Sequence, residues 1–331
     1  MNEDMEMDHA TDFASHMMSI AGHSFQICRM KLDAESSAIL SAACGASHPE
    51  LIDDDRVDQI VHPVGPATFG NLWTVEFLIS QCAAPVRYLL GHGPWQTILH
   101  SGSELTVHRP VRANDQLDVS CTISHIEQRR AGVSVTFLFT YEDHGRQKVL
   151  TSSQAQYFLG WQLPDDLLIR VAQGRTKYRS APMDYSQKAR LIFDGAVCHT
   201  FEAGTGYLGM AGNFLEPPLR LGSGIPDFVN AHLSTRESKR IGLNARNVTG
   251  MCSVARVVVE LVKIAGRSWH DVTKIRANFA APIEINRNCD DVALSIRYSN
   301  ADSHEYFFEL VKPGVDGAKD TVVIRNGYIA F

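Results

Sequence analysis

Residues 251–265 read Met-Cys-Ser-Val-Ala-Arg-Val-Val-Val-Glu-Leu-Val-Lys-Ile-Ala, and Gly266 follows. The only charges are Arg256, Glu260 and Lys263, spaced i, i+4 and i+7, so they form one narrow solvent stripe on a helix otherwise covered by protein. Gly266 stops that helix. Beyond it the pattern favours strands, predicted at 273–279, 292–298, 305–310 and 321–331. A long buried helix followed by an antiparallel meander is the unit this stretch defines.

The same unit occurs upstream. From Pro66-Ala67-Thr68-Phe69 an apolar run predicts a helix to Leu90, shortened or kinked at Pro85 and halted by Gly91-His92-Gly93-Pro94. Strands are predicted at 104–109, 116–126, 133–141 and 153–161. Positions 133, 135, 137, 139 and 141 are all apolar, the alternation of a strand with one strongly buried face. Asn114-Asp115 and His144-Gly145 are turn signals between neighbours. Gly91 and Gly266 lie 175 residues apart, Pro110 and Pro282 172, Trp161 and Phe331 170, which points to duplication. A short helix over 34–44 ending at Gly45, an acidic loop over 53–58 and a polar linker over 162–196 with some short helix complete the reading. The fold class expected is α+β, a double hotdog in which two long central helices are each wrapped by a curved antiparallel sheet. Its units are 1–161 and 197–331, joined through 162–196 and fused across one sheet.

The length of 331 residues accommodates two units of roughly 150 residues each. Apolar residues make up 44% and charged residues 21%, a globular composition. The net charge, 31 − 37 = −6, argues against a nucleic-acid partner. Seven scattered cysteines without a C-x-x-C pair fit a reducing cytoplasm better than a disulfide framework or a zinc site. The acidic start, Met-Asn-Glu-Asp, is unlike a secretory or transit signal. The most apolar long stretch, 69–90, carries Glu76, Pro85 and Arg87 and does not read as a membrane span. A cytoplasmic protein is expected, a monomeric pseudo-dimer or a homodimer.

Pro66-Ala67-Thr68-Phe69, Leu99-His100-Ser101-Gly102, Arg109-Pro110-Val111-Arg112-Ala113-Asn114-Asp115 and Asp227-Phe-Val-Asn-Ala-His232 resemble motifs of the MaoC-like (R)-specific enoyl-thioester hydratases and 3-hydroxyacyl dehydratases in their two-domain form. Pro66-Ala67-Thr68-Phe69 is similar to the family's Pro-Pro-Thr-Phe. Leu99-His100-Ser101-Gly102 with Arg109-Pro110-Val111-Arg112-Ala113-Asn114-Asp115 is similar to its Leu-His-Gly strand and the following Arg-Pro-Leu-x-Ala-Gly-Asp turn. Asp227-Phe-Val-Asn-Ala-His232 resembles the signature Asp-x-Asn-Pro-x-His, and Gly242-Leu243 and Thr249-Gly250-Met251 follow at the family's spacing. The resemblance implies a hydro-lyase of lipid or polyketide-type metabolism. Its substrate is an acyl thioester of coenzyme A or of an acyl carrier protein, and no other cofactor or metal is needed. It implies further that the first half, with Ala46 where an acid would stand, is degenerate and accommodates the acyl chain.

The chemistry explains the residue types. Dehydration removes a weakly acidic α-proton and expels hydroxide as water, so it needs a base and a proton donor. An imidazole titrating near neutrality suits the first task, giving His232 as general base. A carboxyl suits the second, giving Asp227 as acid or water holder. The enolate needs fixed donors, and the Gly250 amide at a helix N-terminus supplies one where a thioester carbonyl can approach a residue without a side chain. The structural alternative is that Asp227 caps a helix and His232 is a satisfied core histidine. This chain departs from the family at Val229-Asn230-Ala231, at Thr249 and at Val258. A rival register through 211–217 would put Asn213 and Pro218 in the dyad positions and make the protein a silent hydratase. Two further readings stay open: a catalytically silent acyl-binding or partner subunit, and a hotdog thioesterase using Glu76 or Glu260. Arg109, Arg112 and Arg276 are candidates to meet a carrier phosphate, while His92, His100 and His108 do not have metal-ligand spacing.

Overall fold

The computed structural model describes residues 21–32, 64, 67, 98–160, 163, 185, 187–193, 215–216, 235–240, 242–285 and 292–331. The helices expected over 34–44 and up to Leu90, the acidic loop, and both Asp227 and His232 lie outside the described residues.

Among the described residues, eleven strands form one antiparallel sheet. In chain order these are β1 (Ser24–Lys31), β2 (Ile98–Val107), β3 (Gln116–Arg129), β4 (Gly132–Glu142), β5 (Lys148–Leu159), β6 (Gln187–Phe193), β7 (Leu215–Glu216), β9 (Lys274–Phe279), β11 (Val292–Asp302), β12 (Glu305–Lys312) and β13 (Thr321–Ala330). Two short strands, β8 (Arg246–Asn247) and β10 (Glu284–Ile285), pair separately. Two helices are described, α1 (Thr235–Arg240) and α2 (Gly250–Ala265).

The order across the large sheet is β6-β11-β12-β13-β9-β2-β5-β4-β3-β1-β7. Starting at its middle, the run β2-β5-β4-β3-β1 is matched by β9-β13-β12-β11-β6, so the two halves repeat one order. They meet where β2 pairs with β9, Glu104 lying opposite Arg276, 172 residues later. That is the spacing from Pro110 to Pro282. The expectation of one continuous sheet is therefore met.

Residues 187–193, in the segment expected to link the halves with some short helix, instead form β6, the partner of β11. Its sequence Gln-Lys-Ala-Arg-Leu-Ile-Phe is polar at the start, as suits a strand at the edge of the described sheet. The opposite edge is also held by the second half, since Met30 and Arg29 of β1 pair with Leu215 and Glu216 of β7.

Packing follows the alternation. Val133, Val135, Phe137, Phe139 and Tyr141 of β4 are buried, each large ring contributing about 1.5–3 kcal/mol by leaving water. In α2, the residues from Met251 to Ala255, Val257 to Val259, Leu261 and Val262 are all buried. They join the same apolar cluster as β4, β9 and β12. Arg256, Glu260 and Lys263 form the less buried stripe, with Lys263 Nζ 3.1 Å from Glu260 Oε1. Gly266 closes the helix at φ 61°, a left-handed conformation that glycine adopts without the Cβ penalty.

Cys28, Cys121 and Cys252 are free thiols. Burial, with a smaller contribution from Asp118, pushes the Cys28 thiol up to about 12, and burial raises Cys121 further. Since the thiolate is the reactive form, a brief iodoacetamide pulse at about pH 8 should leave both unmodified in the native protein and label both after unfolding. Peptide mass spectrometry reads the result.

Candidate functional site

The described part of the site is built around the start of α2. Upstream, β8 pairs with β10, Glu284 lying opposite Asn247, and the Val248 amide donates to the Ile283 carbonyl at 3.0 Å. This fixes the entry to the helix. Thr249 is the N-cap: its φ of −63° and ψ of 138° are extended, and its Oγ1 accepts from the Cys252 amide at 3.2 Å. Its carbonyl accepts from the Ser253 amide at 3.2 Å and from Ser253 Oγ at 3.3 Å. The threonine where the resembled family has histidine thus has a local role in starting the helix. Thr249→Ala should lower unfolding stability by about 1 kcal/mol and Thr249→Ser should restore most of it, read from urea midpoints.

Gly250 opens α2. No side-chain or backbone acceptor among the described residues meets the amides of Gly250 and Met251. These donors, with the positive end of the helix dipole, suit a developing negative charge. The space left by the missing side chain is not open to a ligand on the Cβ side, however. A Cβ on Gly250 would stand 2.7 Å from Cε1 of Phe279 and 2.9 Å from its Cδ1 and Cζ. A side chain at position 250 would therefore have to displace the Phe279 ring or the first turn of the helix. The amide points in a different direction from Cβ and keeps its donor capacity.

Phe279 ends β9, and its ring faces His100 with centroids 4.6 Å apart at 50°. His100 stands at an irregularity where β2 shifts register against β5 between His100 and Gly102. Gly102 lies opposite Asn278, whose Oδ1 would be 3.1 Å from a Cβ at position 102. The two halves therefore contribute adjacent residues beside the Gly250 end of α2: His100 from β2 and Phe279 from β9. Phe279 belongs to no motif of the sequence. The only sequence signal was its inward phase at a strand end, and its contact with Gly250 comes from tertiary packing.

Of the arginine candidates, Arg109 forks onto Asp115 at 2.9 and 3.2 Å and reaches Asp143 at 3.4 Å. Asp143 in turn is held below the ordinary aspartate range by the Gln147 amide, Arg109 and the Gly145 amide. Arg276 is 5% exposed, donates from Nε to the Asn326 carbonyl at 3.2 Å and lies over the Tyr328 ring at 5.3 Å. Both are engaged within the protein, and Arg112 is exposed. His108 Nε2 lies 2.8 Å from Thr151 Oγ1. Among the described residues no group of three or more His, Cys, Asp or Glu is placed to hold a metal ion. Glu260, a candidate for the thioesterase reading, is turned to the stripe and paired with Lys263. Val258 is fully buried in α2. In the rival register, Leu215 and Glu216 are strand residues of β7, while Asn213 and Pro218 lie outside the described residues. Among the described residues no helix is long and apolar enough to cross a membrane.

A concavity of about 540 Å³ lies on the other face of the sheet, against β1, β3 and β4. Ser24, Gln26, Asp118, Ser120, Thr140 and Glu142 contribute to its polar wall, which does not suit an acyl chain.

The sequence matches no protein-family model and no curated protein. Solved structures do match. A MaoC-like dehydratase from Phytophthora capsici superposes with a TM-score of 0.68 at 13% identity, over 96% of this chain and 98% of that one. The full-length peroxisomal multifunctional enzyme type 2 from Drosophila melanogaster gives 0.64 at 12% identity, over 93% of this chain and 48% of that one. A Mycobacterium tuberculosis protein described as having a double hotdog fold gives 0.53 at 14% identity, over 94% and 95%. These likenesses define the class of fold: the chain is a double hotdog protein, with MaoC-like dehydratases among its structural neighbours.

Proposed function

We propose that the protein is a hydro-lyase that interconverts a 2-enoyl thioester and a 3-hydroxyacyl thioester carried on coenzyme A or an acyl carrier protein. The observation that carries this reading is the start of α2. A glycine-led helix of a double hotdog presents two amides that meet no acceptor among the described residues, and it follows an Asp-x4-His pair at the signature's spacing.

In the dehydration direction, His232 takes the proton from C2. The electrons shift onto the thioester oxygen, which the Gly250 amide stabilises as an oxyanion. The C3–O bond then breaks, and Asp227 delivers the proton that makes the leaving hydroxide water. Hydration runs the same path backwards. In this reading each half is a curved sheet around a long helix, the second carrying the chemistry and the first receiving the acyl chain. Lipid or polyketide-type metabolism in the cytoplasm would supply such substrates.

The test is incubation with a short 2-enoyl-coenzyme A, following loss of the conjugated enoyl absorbance and formation of the 3-hydroxyacyl product. Hydration supports the proposal. Release of free thiol instead would make the protein a thioesterase, and binding without turnover would make it a silent acyl binder. Either result overturns the hydro-lyase reading.

A further inference from the structure

The face of the sheet that meets α2 is apolar over most of its area and polar in one place. Pairing keeps side chains of opposed residues on one face, so the row Ala277, Ser103, Gln154 and Phe137 runs across β9, β2, β5 and β4 on the side of Phe279 and Gly250. Along β5 the same face shows Leu150, Ser152, Gln154, Gln156 and Phe158, all buried. Ser152 and Gln154 are 0% exposed, Gln156 3% and Ser103 5%. Four buried polar side chains interrupt what the neighbouring strand β4 lines with Val135, Phe137 and Phe139.

This group is incompletely satisfied. Gln154 Nε2 donates to Ser103 Oγ at 3.0 Å and also contacts Ser152 Oγ, whereas Gln154 Oε1 is buried and meets no hydrogen-bond partner among the described residues. Exchanging the amide oxygen and nitrogen does not help: the two serine hydroxyls would meet the oxygen and the nitrogen would be stranded. Buried polar groups are nearly always paired, so an amide end with no partner in either orientation marks a place where an outside group completes the bonding.

We infer that Ser103, Ser152 and Gln154 form a subsite for a hydroxyl group on the acyl chain of the substrate. The inference rests on the proposed acyl-thioester reading and narrows it from acyl chains in general to oxygen-bearing ones. A hydroxyl fits because it both donates and accepts, so it serves either orientation of the amide. The distance fits as well. Gln154 stands two strands and two residues from Phe279, about 12 Å across the face at ordinary strand spacing and rise. A chain whose thioester carbonyl sits at the Gly250 amide reaches the subsite near its far end.

The test compares decanoyl-coenzyme A with ω-hydroxydecanoyl-coenzyme A by titration calorimetry on the full chain, the unchanged protein against Gln154→Leu. The unchanged protein should bind the hydroxylated chain roughly tenfold tighter or more, and in Gln154→Leu the ratio should fall to about one. Gln154→Met preserves side-chain length and replaces the leucine variant if thermal unfolding shows that variant to be misfolded. Equal binding of the two thioesters by the unchanged protein means that water completes the site, and the inference fails. A preference that survives both substitutions also overturns it. Saturated chains cannot be hydrated, so the result is independent of hydratase turnover. Hydration of a short enoyl thioester without selective binding would sink the subsite alone, and selective binding without hydration would sink the hydro-lyase reading alone.

Discussion

His232→Ala and Asp227→Asn should each lower kcat/KM for hydration of a short 2-enoyl-coenzyme A by about 100-fold or more. Removing the base leaves the α-proton to water. Removing the carboxyl leaves the C3 oxygen without a proton donor, or the attacking water without a holder. In the proposed mechanism the two residues work as a unit, so the double variant should be little worse than the poorer single one. Steady-state rates with coenzyme A thioesters, with far-UV circular dichroism as a check on folding, read the outcome. Full activity in either single variant would remove that residue from the chemistry.

The second large effect is expected at Gly250. Gly250→Ala places a Cβ within 2.7 Å of the Phe279 ring, so either the ring or the first turn of α2 must move. Overpacking of this kind costs about 1–3 kcal/mol, which urea denaturation will show as a lower midpoint at unchanged m. Phe279→Leu in the same chain should return part of the loss, since contacting residues do not contribute additively. The displaced helix end should also reduce kcat/KM, although alanine keeps the amide donor. An unchanged midpoint for Gly250→Ala would show that the ring yields freely and does not position the helix.

Most of the sheet was legible in the sequence because its central strands have a uniform face. Residues 133–141 alternate without a break and appear as β4 within one residue at either end. The helix was equally legible from its single charged stripe, and it begins one residue before the expected start. β1 was not, for a definable reason: its register against β3 shifts between Gln26 and Cys28, so the inward phase carried by Phe25 and Ile27 does not continue to Met30. A bulge erases the period-two signal on which the reading depends. β6 was hidden by its polar edge, and β5 by Ser152, which made the strand seem to begin at 153 when it starts at Lys148.

The same logic applies at the candidate site. Gly250 was identifiable from its place before an apolar helix, whereas Phe279 and His100 meet it only through the pairing of β2 with β9. Such contacts join residues far apart in the chain and leave no local spacing to detect. The polar row on β5 is the exception. Serine and glutamine on the inward phase of a buried strand are a sequence signal, provided the register of that strand is already known.

The register at the seam has a last consequence. Pairing Glu104 with a residue 172 positions later, between halves of repeated strand order, places a local two-fold axis through that pair. In a dimer of identical chains, a residue on such an axis meets its own copy, and a charged one faces like charge. Here glutamate faces arginine, and Lys274 on one flank binds Glu104 Oε1 at 2.6 Å while Gly102, the residue 172 positions before it, offers no counterpart. Within a single chain the axis is free of self-complementarity. Each side of the seam can therefore be tuned alone, an option closed to any symmetric assembly of a single-hotdog chain.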